Sequence, residues 1–432
     1  MINEEKKINH DISFDDEGFF KALFELLKIR SVKEAATTNA PFGEGVKDAL
    51  IYTLSLAERL GFKTKNYDNY VGEVIWGEGK PFGVLCHLDV VPEGDLNEWK
   101  TNPYEPTIID GKLYARGALD DKSGAISVLY AMKALLDAGY TPKREIRLIL
   151  GCDEESGWGC IEHYKKVATL PEEGISPDAD FPVIYAEKGI VHITYKYRKS
   201  PELSWIKGGE RANVVCDKAT AKLEKVGLYV DYPQILASGD VLYTVGVSAH
   251  GSTPEKGKNA MDPMIEFLEK EGYLEKGVHD KLFKDVVGVK RLNDETGYLT
   301  FSPNVITSDD DYIYVTVDVR YPATLPHDFV MEKLAEIGEY EVKSYQESLY
   351  SPKDSGLVKT LCDIYNEITG SVCEPIAIGG GTYARALKNG VAFGPALGEE
   401  GDSIHKPNEY VTLSTLKVMN EIYLETLKRI CF

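Results

Sequence analysis

Residues 123–138 read SGAISVLYAMKALLDA, and this stretch decides the fold. Ile126, Val128, Leu129, Met132, Leu135 and Leu136 leave it apolar almost all round, as a helix buried against a sheet must be. Strand-like runs flank it, at 71–76 and 83–88 before and at 144–150 and 182–186 after, and Pro142 ends the turn that follows the helix. Helix-like stretches at 19–27 and 47–60 come first. Strands alternating with helices predict an α/β layer built on a central, mostly parallel sheet flanked by helices.

The pattern changes near Glu187. Residues 189–198 alternate, with Val191, Ile193, Tyr195 and Tyr197 on one side and Ile190, His192, Thr194, Lys196 and Arg198 on the other. That is the signature of a strand with one solvated face. Similar strands are expected at 241–247, 298–306 and 312–320, the last two joined by a turn at 307–311, with helices at 219–226, 260–271 and 328–337. After Pro352 the α/β character returns, with a helix at 357–368, a Gly-rich loop, a strand at 391–393 and a final helix at 413–430. The expected organisation is one discontinuous α/β domain, 1–187 and 351–432, with an antiparallel α+β block, 188–350, inserted into it.

The composition agrees with a globular chain. Its 432 residues are 43% hydrophobic and 27% charged, with 39 Gly and 20 Pro, which excludes disorder and collagen-like repeats. The length suits two or three domains with sizeable cores. No apolar run approaches the ~18–20 residues of a membrane span, and Met1–Lys7 lacks the apolar stretch of a secretory signal. Seven cysteines without CxxC spacing do not form a disulfide framework, so reduced thiols and a cytoplasmic location are expected. A net charge of −20 repels phosphate backbones and anionic lipid, so neither nucleic acid nor a membrane is an expected partner. Whether some carboxylates are gathered for a purpose is the remaining question.

Five short stretches bear on it. His87-Leu88-Asp89 closes an apolar strand, where a parallel sheet opens onto its ligand crevice and where Asp89 shares a side with His87. Alone it says little, because 8 histidines among this many acids give roughly one such spacing by chance. Asp120-Asp121 stands just ahead of the buried helix, where two acids could simply be caps. Asp153-Glu154-Glu155 leaves an apolar strand, and three adjacent acids there call for a cation. Ser176-Pro177-Asp178 precedes the strand expected at 182–186, and His405 lies in Ile404-His405-Lys406-Pro407. Taken together, two histidines, two terminal carboxylates and one bridging carboxylate are what two divalent ions require. A sixth acid is left to move a proton.

With Leu85–Pro92, Gly117–Gly124, Asp153–Ser156 and Ser176–Asp178, the chain resembles the co-catalytic two-zinc peptidase family that includes aminoacylases, glutamate carboxypeptidases and carnosinases. Ser248–Pro254, Val319–Pro322, Ile378–Arg385 and Ile404–Glu409 make it most similar to that family's bacterial dipeptidase branch, the PepV type. The resemblance implies that His87 and Asp178 hold one metal, Glu155 and His405 the other, and that Asp120 bridges them. It implies Glu154 as general base, Asp89 as partner of His87, and a cis peptide before Asp121. It makes 188–350 a lid, in which His250 would stabilise the oxyanion and Arg320 would hold the substrate carboxylate. Asn213, Gly380, Gly381 and Thr382 would also bind substrate. The stretch after Asn213, Val214-Val215-Cys216-Asp217, lacks the proline usual in the branch. His10, His163, His192, His279 and His327 match none of these motifs and are expected to be structural or surface residues.

The function so implied is a metallo-dipeptidase, in which water bridging two divalent ions attacks the peptide carbonyl of a small peptide. An N-acyl amino acid deacylase of desuccinylase or deacetylase type is the alternative on the same site. A non-catalytic metal-binding protein is the alternative of another class, and Glu154, an acid left over beside the ligands, speaks against it. Imidazole and carboxylate donors without thiolate suit Zn²⁺, Mn²⁺ or Co²⁺ alike, and the resemblance makes Zn²⁺ the first expectation. A monomer is expected, because a large insert can supply contacts that smaller relatives gain by dimerising.

Overall fold

The buried helix forms as expected, over Lys122–Asp137, and it packs against the C-terminal helix Leu413–Cys431. A hydrogen bond from Ser127 Oγ to Asn420 Oδ1 (2.5 Å) satisfies the polar pair inside that interface. The computed structural model describes residues 12–224 and 232–432. His10 and Met1–Lys7 therefore lie outside the described residues.

The chain divides into two compact units. The first comprises 1–185, 350–376 and 381–432, and the second 186–349 with 377–380. In the first unit a nine-stranded sheet runs in the order Lys63–Tyr67, Val71–Trp76, Ile146–Gly151, Phe82–His87, Glu173–Ser176, Asn389–Ala392, Ile184–Glu187, Leu349–Tyr350, with Ile376–Ile378 also paired to Ile184–Glu187. The four strands from Ile146–Gly151 to Asn389–Ala392 pair with one another in parallel, while Lys63–Tyr67 with Val71–Trp76, Val71–Trp76 with Ile146–Gly151, and Ile184–Glu187 with Asn389–Ala392 pair antiparallel. The sheet is therefore mixed, with a parallel centre. The strand Phe82–His87 is buried along its whole length, as a central parallel strand covered on both faces should be.

The second unit is an eight-stranded antiparallel sheet. Val191, Ile193, Tyr195 and Tyr197 pack into its core with Met264, Ile265 and Leu268 of the helix Met261–Lys270. Residues 219–223, expected to begin a helix, instead belong to the strand Lys218–Leu223, while 225 and 226 lie outside the described residues. Lys-Ala-Thr-Ala-Lys-Leu buries Ala219, Ala221 and Leu223 on one side. Pairing with Leu203–Gly208 and Val241–Val245 overrides the helix preference of alanine and lysine.

Two further departures matter. Glu173–Ser176, too short and too polar to stand out, is a strand, so Asp178 follows one parallel strand as well as preceding another strand. Cys362 and Cys373 form a disulfide, against the expectation of uniformly reduced thiols. Left-handed Gly370 ends the helix Gly356–Thr369 and turns the chain back, bringing the two Cα atoms to 5.2 Å. The other five cysteines are free and buried. Among the described residues no helix is long and apolar enough to cross a membrane.

Candidate functional site

Three neighbouring parallel strands end at the same edge of the first unit's sheet. Phe82–His87 delivers His87 itself, Ile146–Gly151 leads into Glu154 and Glu155, and Glu173–Ser176 leads into Asp178. Carboxyl ends of parallel strands are where an α/β sheet builds its ligand site. Asp120 arrives from the loop before the buried helix, across a cis Asp120–Asp121 peptide. His405 comes from the loop after Gly398–Ser403, with a left-handed backbone (φ 62°).

The side chains converge. His87, fully buried, places Nε2 2.8 Å from Asp120 Oδ1 and 3.4 Å from Asp178 Oδ1. Its Nδ1 lies 2.8 Å from the Asp89 backbone carbonyl. A carbonyl can only accept, so Nδ1 carries the proton and, in the neutral ring, Nε2 turns its lone pair toward the carboxylates. His405, more exposed, has Nε2 2.9 Å from Asp120 Oδ2 and 3.0 Å from Glu155 Oε2. Asp120 thus gives one oxygen to each imidazole.

Asp89 works differently from a simple partner of the His87 ring. Its carboxylate accepts the backbone N–H groups of Glu154 and Glu155 (both 3.1 Å) and stands 3.7 Å from His87 Nδ1. It therefore holds the acidic loop, while its carbonyl holds the imidazole. Asp153 braces the same loop, accepting from Lys33 Nζ (2.6 Å), Ser156 Oγ (2.6 Å) and the Gly159 N–H (2.9 Å). Tyr383 sets its ring edge-on to His87 at 6.2 Å and bonds Cys160 through its hydroxyl. Asp153 and Tyr383 lay inside stretches the sequence singled out, without a role of their own, and Lys33, 120 positions before Asp153, carried no signal.

The electrostatics are those of a cluster short of positive charge. Burial, then the neighbouring Asp178 carboxylate, pushes Glu154 well above the usual range. Burial and Asp120 raise Glu155. Asp178 is pushed up to about 7 by burial, which together with the Asp120 and Glu155 charges outweighs the pull of His87. Desolvation opposes the charged form of both imidazoles, yet the facing carboxylates win. His87 rises well above its ordinary value beside Asp178 and Asp120, and His405 reaches about 11 beside Asp120 and Glu155. Asp121 is buried, with Oδ1 lacking any hydrogen-bond partner.

This donor set fits divalent ions. His87, Glu154 and Asp178 bring ligand atoms within 4.8 Å of one another, and so do His87, Asp120 and Glu155. Imidazole nitrogen and carboxylate oxygen are the donors that zinc and its neighbours prefer.

The remaining expected residues lie elsewhere in the chain. In the second unit, His250 pairs with Val214 through a β-bridge, and the Gly251 N–H bonds the Asn213 carbonyl (2.7 Å). His250 and Asn213 are thus neighbours, both exposed. Arg320 is buried and gives Nε and Nη2 to the two oxygens of Asp318 (2.7 and 2.9 Å) and Nη1 to the Gly379 carbonyl (3.0 Å). His192 faces Asp318 across the strand pair, 3.8 Å from Oδ2. Gly380 belongs to the second unit, and Gly381 and Thr382 to the first. Thr382 caps the turn Tyr383–Ala386 by accepting the Ala384 N–H (3.1 Å). His163 and His279 pair with Asp68 and Asp262 and take no part in the cluster.

Comparison with known proteins shows the family. The model of peptidase family M20/M25/M40 matches residues 83–429. A Bacillus subtilis (strain 168) protein named "Putative dipeptidase YtjP" is 35% identical over 441 residues, covering 93% of this chain and 95% of its own. Human carnosine dipeptidase 1 superposes with a TM-score of 0.60 at 14% identity, over 95% of this chain and 96% of its own. Aminoacylhistidine dipeptidase from Vibrio alginolyticus gives 0.60 at 14%, over 99% and 98%. At such identities the two structures bear on the fold alone.

Proposed function

The chain belongs to peptidase family M20/M25/M40 and is a peptide-bond hydrolase, and from that premise we propose that it is a metallo-dipeptidase working with two divalent ions per chain. The observation that carries the reading is Asp120, whose two oxygens face two different imidazoles. His87 and Asp178 would hold one ion, His405 and Glu155 the other, and Asp120 both. Zn²⁺ suits the donors best, with Mn²⁺ or Co²⁺ as substitutes. When bound, such ions supply Lewis acidity.

The chain's own groups do the rest. Glu154, the acid left over from the ligand set, takes a proton from the attacking water. As the C–O bond forms, the carbonyl becomes an oxyanion, and His250 is the proposed donor to it. The C–N bond then breaks, and Glu154 passes its proton to the leaving amine. The preference for dipeptides is supported by near full-length similarity to proteins named as dipeptidases.

Arg320 is the proposed holder of the substrate carboxylate. A guanidinium has five N–H donors, and three are engaged by Asp318 and Gly379. The two left, one on each Nη, are the donors that remain for a substrate carboxylate. An ammonium cannot serve Asp318, Gly379 and a carboxylate in that geometry. Arg320→Lys is therefore expected to lower kcat/KM by at least the ~1.5–3 kcal/mol of a charged hydrogen bond. Its metal content should be that of the wild type, and C-terminally amidated dipeptides should be poor substrates of the wild type. Equal cleavage of amidated and free dipeptides would remove Arg320 from this role.

The test of the whole reading is a substrate panel with metal control. Metal analysis should find two divalent ions per active chain, and a chelator should abolish activity reversibly. Free dipeptides should be cleaved in preference to N-acetyl and N-succinyl amino acids. Preference for the acylated compounds would make the protein a deacylase, and full activity after metal stripping would end the metal hypothesis.

A further inference from the structure

Glu409 is a carboxylate that the proposed chemistry does not use, and four donors bond it. It is 1% exposed. Oε1 accepts the backbone N–H groups of Leu119 (2.9 Å) and Asp120 (3.2 Å). Oε2 accepts the Gly117 N–H (3.1 Å) and Arg116 Nη1 (2.8 Å). Its own backbone carbonyl receives the Ala115 N–H (3.3 Å). A carboxylate offers about four acceptor sites, and here all four are filled by one loop. Gly117, at φ 82°, gives that loop the turn by which its N–H groups converge on the anion.

The loop ends in Asp120. Four residues before Glu409 is His405, whose Nε2 meets Asp120 Oδ2 at 2.9 Å. Between them, Asn408 is tied down separately, accepting the Lys100 N–H (2.6 Å) and donating to the Glu98 carbonyl (2.7 Å). Just beyond, Tyr410–Thr412 pairs with Lys112–Tyr114. The segments that supply His405 and Asp120 are therefore stitched together at Glu409.

We propose that Glu409 is a positioning residue for the metal centre: it fixes the Asp120 loop against the His405 segment and so sets how tightly the centre holds its ions. The proposal rests on the reading of that centre as a divalent-ion site. The physical reason is that a ligand pair binds well only if its separation is set before the ion arrives. Groups behind the ligands commonly account for ~10–100-fold in metal affinity. An amide in place of this carboxylate would set an NH₂ donor against two of the four donors, and the loop would have to move.

The experiment uses the full-length protein with Zn²⁺ alone as the probe. Zinc affinity is measured by competition with a chromophoric chelator, beside the melting temperature of the metal-free protein. Glu409→Gln is expected to bind zinc ~10–100-fold more weakly, with kcat on a dipeptide recovering as zinc is raised. A brace that served stability alone would lower the melting temperature and leave zinc affinity unchanged, and that result overturns the proposal. Should Glu409→Gln fail to fold, amide hydrogen exchange on the metal-free wild type decides. Gly117, Leu119 and Asp120 must be protected before any ion is present, and free exchange there overturns the idea. If the wild type itself binds no zinc, the reading of the centre has failed, and this shows before any substitution is made.

Discussion

Glu154→Gln is expected to lower kcat on a free dipeptide by ~10²–10⁴-fold or more while both ions stay bound. The upper end is favoured because the same group would take the proton from water and return it to the amine. Glutamine keeps the size and the backbone N–H held by Asp89, so the acidic loop should stay in place. The contrast with its neighbour gives the experiment its force. Glu155 meets His405 at 3.0 Å and is the proposed ligand of the pair, so Glu155→Gln should lose metal affinity first and rate as a consequence. Yet Glu154 also lies within ligand distance of His87 and Asp178, so geometry alone leaves it two roles. Metal content measured beside kcat separates them. A Glu154→Gln protein that loses an ion makes Glu154 a ligand, and one that keeps near wild-type kcat removes it from proton transfer.

How much of this was legible in the chain follows from where each signal lies. His87, Glu154, Glu155 and Asp120 stood out as candidates because each sits at the edge of a strongly patterned element. His87 ends an apolar strand, Glu154 and Glu155 leave another, and Asp120 precedes a helix buried almost all round. Asp178 was harder, since Glu173-Gly174-Ile175-Ser176 has too little apolar content to announce the strand that carries it. Bonds made over long sequence separations could not be read at all. That Glu409 would close around residues 116–120, about 290 positions earlier, is fixed by tertiary packing and leaves no local pattern. Asp318 is an intermediate case. Val-Asp-Val-Arg on a strand puts Asp318 and Arg320 on one face, but which donors Arg320 surrenders to it needs coordinates.

Asp120→Asn should strip the centre of both ions, where Asp178→Asn should weaken one. Asp120 Oδ1 faces His87 and Oδ2 faces His405, so one carboxylate would serve both sites, whereas Asp178 meets His87, at 3.4 Å. An amide has one accepting oxygen and one NH₂ group, and the latter repels a cation and offers it no lone pair. Whichever way the substituted amide turned, one ion would lose its bridge, and the other would keep a neutral ligand in place of a charged one. The loss should therefore exceed the ~10–100-fold that removal of an outer partner costs. At a metal concentration that saturates the wild type, bound metal should fall from two ions toward none, and dipeptide hydrolysis should fall with it. The loop keeps its brace, because the backbone N–H at position 120 remains bonded to Glu409 whatever the side chain carries. The metal-free variant should melt below the metal-free wild type, because His87 and His405 lose the carboxylate that faces them both. Retention of one tightly bound ion by Asp120→Asn would show that the two imidazoles do not share a bridging carboxylate.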